Sequence, residues 1–443
     1  MSTTGILTER HDSIGHGHGS IRCDTDSVSG AVSQRACVYC GARVVLNPIT
    51  DAFHIVHGPI GCASYTWDIR GSLTSGSDLY RNSFSTDLSE RDIVFGGAEK
   101  LTRAIDEVCE KHHPKLIFIY STCIVGVIGD DVDAVCREAE KKHGIRCISV
   151  KSPGFSGNKS YGYKMASEAI LELIRPHSGK PKMRGVNILG DFNLAGEMWI
   201  IQNYLRILGI PVVSKITGDA TYDSLIQAPS ATLNLVQCAG SMTCLANQME
   251  EEFGIPFIKV SFFGREDTTT SLLRVAEALG DEAAIAKARA FCEAQEAELI
   301  EFENLYRPNL SGKKAAIYVG GGFKAISLIR QFNTMGIETV VVGTQTGKPE
   351  DYEVIGQLVR KDCIILDDAN PAELETFMKE KGANILVGGV KERPLAYKLG
   401  IAFCDHNHER KHALAGYEGV RNFTQEINSS INSPVWNYME VEL

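Results

Sequence analysis

The sequence predicts an α/β protein built from three Rossmann-like domains with parallel sheets, and three observations carry that expectation. Helix-like stretches repeatedly end in Gly-Ile and run into β-branched residues. A further apolar run precedes each such helix. The chain, at 443 residues, also exceeds what a single hydrophobic core sustains. Strand, loop, helix, Gly-Ile, strand is the βαβ order of sheets buried on both faces.

Taken in order, the junctions are Gly144-Ile145, Gly209-Ile210, Gly254-Ile255, Gly336-Ile337 and Gly400-Ile401. Gly just past a helix accepts the left-handed conformation that ends it, and the Ile then opens a buried strand. The apolar runs at 116–120, 186–189, 233–236, 316–319 and 385–387 are the strands expected ahead of the helices. Pro, Gly and Lys gather in PHSGKPKMRG at 176–185 and LYRPNLSGKK at 305–314, so the domain boundaries are expected there. The resulting division is an arm over 1–30, then domains over 31–180, 181–312 and 313–443.

Composition narrows the function. Hydrophobic residues make up 44% and charged residues 23%, which excludes disordered and collagen-like chains. Forty-five basic against 55 acidic residues give a net charge of −10 with no basic block, which argues against a nucleic-acid surface. No apolar run reaches the roughly 20 residues of a membrane span, and the start lacks the pattern of a signal peptide, so a cytoplasmic location is expected. In that reducing setting 13 cysteines read as free thiols or metal ligands.

Ligands of open parallel sheets sit beyond the carboxyl ends of strands. Nucleotide fingerprints fail there: GTQTGKP has three residues between its glycines where a P-loop needs four, and Pro349 stands where Ser or Thr should bind magnesium. Cysteines fare better. Cys62 follows the glycine- and proline-rich turn His57-Gly58-Pro59-Ile60-Gly61, and Cys123 follows the apolar run LIFIYST. With Cys37 they make three thiols on loop positions, where backbone N–H groups can reach the sulfides of an iron–sulfur cluster. A cubane needs four ligands, so the fourth would come from elsewhere, a partner subunit included. Buried structural cysteine is the competing reading for each. Cys40, in Cys37-Val-Tyr-Cys40, stays open between spare ligand and structural thiol, and Cys109, Cys136 and Cys292 read as core. Cys238 ends the run 233–236 ahead of an apolar stripe of Met242, Leu245, Ala246, Met249 and Phe253, with Ser241 as the expected N-cap. His16 and His18 on the arm read as a polar tail.

Longer segments carry a resemblance. QRACVYCGARVVLNPITDAFHIVHGPIGCASYTWDIRGS, SFSTDLSERDIVFGGAEKL, IYSTCIVGVIGDDVDAV, LNLVQCAGSM, YVGGGFKAISLIRQF, LVGGVKERPLAYKLGIAF and CDHNHERKHALAGYEG occur in the order found in the nitrogenase component 1 superfamily. The chain resembles in particular the branch that assembles the iron–molybdenum cofactor. The resemblance implies three Rossmann-like domains around a cofactor cavity and an α2β2 heterotetramer with a NifN-like subunit. It also implies that Cys37, Cys62 and Cys123 ligate a [4Fe-4S] cluster at the subunit interface. By the same resemblance the chain is a scaffold without a catalytic role. An iron–sulfur precursor from a NifB-type donor gains molybdenum and homocitrate there, with the Fe protein, before passing to the nitrogenase catalytic apoprotein.

A catalytic α subunit of a nitrogenase-like reductase is the alternative, since it shares the fold and most segments. In that subunit a cysteine and a C-terminal histidine anchor the finished cofactor. Cys238 matches the cysteine, whereas Asn407 stands at the histidine position, flanked by His406 and His408, and an amide is a poorer metal ligand than imidazole. The catalytic subunit's histidine pair is missing from Gly157-Asn158-Lys159-Ser160-Tyr161-Gly162-Tyr163-Lys164, and Phe323 replaces its arginine after Gly320-Gly321-Gly322. Lys391 aligns with a family lysine near homocitrate, and Arg70 and Lys324 are further candidate cations for an anionic cargo.

Overall fold

The structure is a computed structural model that describes residues 37–67, 82–345, 347–367, 369–406, 410 and 412–438. The described residues divide into two compact units, one of 37–260 with 274–285 and the other of 261–273 with 286–438. His16, His18, Arg70, Asn407 and His408 lie outside the described residues.

The first unit holds two parallel four-stranded sheets. In one, β1 (Ala52–His57), β2 (Ser83–Ser85), β3 (Leu116–Ser121) and β4 (Arg146–Lys151) stand in the order β2-β1-β3-β4. In the other, β5 (Val186–Leu189), β6 (Val212–Ile216), β7 (Leu233–Val236) and β8 (Phe257–Lys259) stand in the order β6-β5-β7-β8. The second unit has one parallel five-stranded sheet, β11-β10-β9-β12-β13. Its strands are β9 (Lys314–Val319), β10 (Glu338–Thr344), β11 (Ile364–Asp367), β12 (Ile385–Gly388) and β13 (Ala402–Asp405).

Apolar burial dictates which strands lie inside. Every residue of β3, β5, β7 and β12 is buried, Asn187 of β5 and Asn234 of β7 by pairing with each other at 2.9 Å, while the edge strands β4 and β8 leave Lys151 and Lys259 in solvent. Each fully buried Val, Leu or Ile contributes about 1.5–3 kcal/mol relative to leaving it exposed. The five Gly-Ile junctions all take the expected form. Gly144, Gly209, Gly254, Gly336 and Gly400 have φ between 63° and 76°, and β4, β6, β8, β10 and β13 begin within two residues of the following Ile.

Two local expectations need correction. The helix Glu282–Leu310 runs through Pro308, so most of the loop expected over 305–314 is helical. A proline in the last turn removes a single helical hydrogen bond, and the N–H of Ser311 still donates to the carbonyl of Arg307 at 2.8 Å. The helix after β7 starts at Ala239 with Cys238 as its N-cap, in extended conformation at φ −111° and ψ 95°. Ser241 is therefore inside the first turn, and its hydroxyl lies 3.5 Å from the carbonyl of Cys238.

Each sheet has one place where successive connections leave in opposite directions, and such a switch point opens a crevice at the carboxyl ends of two adjacent strands. It falls between β1 and β3, between β5 and β7, and between β9 and β12. These three crevices organise the candidate functional residues.

Candidate functional site

The first crevice collects the three loop cysteines. Cys62 sits in the helix Ile60–Trp67 that follows β1, and Cys123 is the first residue of the helix Cys123–Ile128 that follows β3. Cys37 caps the helix Val38–Leu46 and pairs in an antiparallel bridge with Asn158, beyond the end of β4. The turn read around Cys62 is thus the first turn of a helix, with the N–H of Cys62 donating to the carbonyl of Pro59 at 3.1 Å.

Gly154 fixes the centre of the group. Its N–H donates to Cys123 Sγ at 3.0 Å, and a Cβ added there would lie 3.0 Å from Cys123 Sγ, 3.3 Å from Cys37 Cβ and 3.6 Å from Cys37 Sγ. Any side chain would fill the space between the two thiols. Burial pushes the Cys62 thiol pKa up, the nearby Cys123 and Cys37 thiols push it further, and a hydrogen bond with Thr122 opposes them. Cys37 and Cys62 are half-buried and Cys123 is exposed. All twelve described cysteines are free thiols. Among the described residues no three His, Cys, Asp or Glu side chains lie close enough to hold one metal ion.

A buried polar network braces the two strand ends. The Thr122 hydroxyl donates to the carbonyl of His57 at 3.0 Å. His57 Nε2 lies 3.1 Å from Asp130 Oδ2, and Asp130 also accepts the N–H of Gly97 at 3.0 Å. Burial holds the His57 pKa below its ordinary value although Asp130 pulls the other way. Apolar side chains that face solvent lie on the segments around the thiols. Phe95 is 82% exposed, Val127 74% and Phe155 64%, and Ile60 and Val94 are exposed as well. Phe155 lies against the helix of Cys123, since a Cβ at Gly126 would meet its ring at 3.2 Å.

The second crevice belongs to Cys238, at the end of β7. The turn after β5 passes it so closely that a Cβ at Gly190 would lie 2.8 Å from Cys238 Cβ. The helix Ala239–Phe253 packs on the helix Lys159–Ile174, whose first two turns carry Lys159 and Tyr163. Asn158 caps that helix, its Oδ1 accepting the N–H of Ser160 at 3.0 Å and of Tyr161 at 3.3 Å. The helix Val38–Leu46 crosses it where Gly41 and Gly162 meet, which brings Cys40, 4% exposed, against the same turn.

Lys159 and Tyr163 lie within electrostatic reach of each other and of both Cys40 and Cys238. The Tyr163 phenol holds the Lys159 pKa above its ordinary value, and burial raises that of Tyr163. Gln237, which precedes Cys238 in the chain, is buried, and its amide has no hydrogen-bond partner among the described residues. The sequence reading treated 157–164 only as a stretch without histidine and so missed this pair. The available signal was an N-capping Asn followed by Lys and Tyr four residues apart, a spacing that puts both on one helical face.

The third crevice carries Lys324 and Lys391. Lys324 donates to the carbonyl of His406 at 3.1 Å and lies 5.6 Å from the centre of the Phe263 ring. Lys391 is exposed in the turn after β12, where the adjacent Glu392 is buried and accepts the N–H of Gly389 at 2.8 Å. Phe323 is half-buried. The His406 ring, 1% exposed, stands edge-on to Phe263 at 5.4 Å and Phe423 at 5.8 Å. Burial, with Lys324 and Arg410 adding to it, keeps its pKa well below the usual value, so the ring is a neutral part of the core.

Comparison with known proteins shows the family and the fold. Residues 37–432 match the family described as nitrogenase component 1 type oxidoreductase. The chain is 63% identical over 442 residues to the nitrogenase iron-molybdenum cofactor biosynthesis protein NifE of Clostridium pasteurianum, spanning 98% of this chain and 97% of that one. It is 51% identical over 428 residues to the protein of that name from Methanosarcina barkeri, spanning 94% and 92%. A solved structure of nitrogenase Cp1 at pH 6.5 superimposes with a TM-score of 0.86 at 29% identity, covering 95% of this chain and 93% of that one. The fold is nitrogenase component 1-like, and the chain belongs to the nitrogenase component 1 family.

Proposed function

We propose that the chain is a scaffold subunit for biosynthesis of the nitrogenase iron–molybdenum cofactor. Cys238 holds an iron–sulfur precursor as cargo while molybdenum and homocitrate are inserted, and the cargo then passes to the nitrogenase catalytic apoprotein. The names of the most similar relatives support this reading. The observation that carries it is the company Cys238 keeps: a lysine and a tyrosine within electrostatic reach. A residue that delivers protons to a substrate works best with a pKa near the operating pH, and both groups are shifted upward, away from neutrality. The surroundings of Cys238 suit holding an anion better than reducing one.

Cys37, Cys62 and Cys123 fit a resident [4Fe-4S] cluster, because Gly154 leaves the space between two of the thiols open and donates its backbone N–H to the sulfur of Cys123. Such a cluster would supply electron transfer and a covalent link between subunits. The exposed rim of Phe95, Val127 and Phe155 supports a NifN-like partner in an α2β2 heterotetramer as the source of the missing ligand. A NifB-type donor and the Fe protein complete the expected partners. Lys391 stays a candidate for homocitrate by its alignment and exposure.

The deciding experiment follows iron and molybdenum from purified, loaded heterotetramer into cofactor-free catalytic protein. Transfer of both metals with gain of activity by the acceptor is expected, together with negligible acetylene reduction by the donor and the Fe protein. Robust acetylene reduction by the donor, or no transfer, would overturn the scaffold assignment.

A further inference from the structure

We propose that Asp130 is a positioning residue for the interface cluster: acting through the His57 imidazole, its carboxylate fixes the spacing of the two strand-end segments that carry Cys62 and Cys123. This rests on the proposed resident cluster and adds residues to it. Asp130 lies two residues past the helix Cys123–Ile128, and His57 ends β1, five residues ahead of Cys62. The two side chains meet at 3.1 Å, Nε2 to Oδ2. The same carboxylate accepts the N–H of Gly97, at 3.0 Å on Oδ2 and 3.1 Å on Oδ1, just ahead of the helix Ala98–His112. One side chain thereby joins three connections at the carboxyl end of the sheet. The fit is close, since a Cβ at Gly97 would stand 2.8 Å from Asp130 Oδ2 and 2.9 Å from His57 Cε1.

Donors and acceptors match in one direction. A carboxylate only accepts, so His57 Nε2 carries the proton it shares with Asp130. His57 Nδ1 then accepts from the Thr86 hydroxyl at 3.0 Å, and Thr86 Oγ accepts the N–H of Gly58 at 3.1 Å. Burial holds the His57 pKa below its ordinary value, which keeps the ring in this neutral form. The His57 carbonyl takes the N–H of Thr122 at 3.2 Å and its hydroxyl at 3.0 Å, and Thr122 is the residue before Cys123. The bonds thus run from the segment after Cys123 to the residue before it and to the turn ahead of Cys62. A buried carboxylate is weak evidence of stability, because packed apolar side chains would hold the strands as well. What it adds is direction, and direction matters most where two thiols must meet one cluster. Groups that orient metal ligands from behind are worth roughly 10–100-fold in metal affinity.

The test uses the complete heterotetramer, produced without the NifB-type donor so that cargo iron is absent, and challenged without oxygen with the iron chelator bathophenanthroline disulfonate. Asp130→Asn is expected to lose cluster iron roughly tenfold faster than the wild type. Both carboxylate oxygens face Gly97, so in either orientation the new NH2 opposes the Gly97 N–H. Its cluster should also have a more positive midpoint potential in an EPR titration, because a negative charge has been removed. His57→Gln, whose amide can still donate to Asp130, should stay near the wild-type rate. His57→Leu should match Asp130→Asn, and the two combined should lose iron no faster than either alone. Should Asp130→Asn fail to assemble, Asp130→Ser is read in the same two ways, and should His57→Leu fail, the aspartate variant is read against His57→Gln. Wild-type iron loss and potential in the aspartate variant, alongside loss of the cluster in Cys123→Ala, would overturn this inference and leave the interface cluster standing. Additive iron loss in the double variant would overturn it too, since Asp130 would not be acting through His57. Full cluster iron in Cys123→Ala would instead remove the cluster assignment itself.

Discussion

Cys123→Ala is expected to abolish the iron–sulfur signal of the subunit interface and to dissociate the heterotetramer. Its thiol is the most exposed of the three and the acceptor of the Gly154 N–H, so its loss opens one iron to solvent and leaves a donor unanswered. Metal binding and assembly are linked, because a ligand shared between subunits stabilises the complex by the free energy of the bond it makes. Without that bond the exposed Phe95, Val127 and Phe155 remain as a modest apolar contact. Cys37→Ala and Cys62→Ala should behave alike. Cys40→Ala should spare the interface cluster, since its side chain is buried beside Lys159 and Tyr163. Iron per protomer and sedimentation of the purified proteins check this. Full iron and intact tetramer in all three variants would remove the interface assignment.

Gly162→Leu should be the most damaging substitution away from any thiol. A Cβ at 162 would stand 2.6 Å from the backbone nitrogen of Ala42 and 2.8 Å from Gly41 Cα. These are main-chain atoms of a packed helix and cannot rotate aside. Overpacking of this kind costs about 3 kcal/mol or more. The crossing joins the helix preceded by Cys37 to the helix carrying Lys159, so both crevices of the first unit should lose their geometry together. Gly356→Ala is the control: nothing lies within 4 Å of a Cβ there, in the helix Pro349–Leu358, and a small gain of up to about 1 kcal/mol is expected. Denaturant midpoints measure both. A Gly162→Leu protein with the wild-type midpoint would contradict the close crossing.

Much of the fold was legible because one backbone requirement wrote itself in letters. Wherever a helix ended in a left-handed residue before a buried strand, Gly-Ile marked the place. Where the same turn used other residues it escaped notice. His113 has φ 50° ahead of Pro114 and β3, and Gly382 has φ 67° ahead of Ala383 and β12. Three strands were invisible for physical reasons. β1 buries His54 and His57 and so reads as polar, β2 is the polar Ser-Phe-Ser, and β11 follows a helix that ends at Val359 with φ −105° and so has no Gly-Ile junction ahead of it.

The site was legible to a similar degree. Cys123 and Cys238 were recognisable as residues that follow apolar runs, since strand ends carry ligands, and Cys62 as one that follows a glycine- and proline-rich turn. The order of strands decides which ends adjoin, and that order comes from long-range packing that no local pattern encodes. Only β1 next to β3 brings Cys62 to Cys123, and only β5 next to β7 brings Gly190 to Cys238. Lys159 and Tyr163 were hidden for the same reason, because their importance depends on a helix–helix crossing more than a hundred residues from one of its members.

The central claim is that Cys238 carries cargo distinct from the interface cluster. The most direct measurement is the iron and molybdenum content of purified heterotetramer with Cys238 and with Cys238→Ala, read alongside EPR. The account predicts that the variant assembles, keeps the interface-cluster signal, and lacks the remaining iron and all the molybdenum. A variant that carried the wild-type complement of both metals and delivered it to cofactor-free catalytic protein would contradict it.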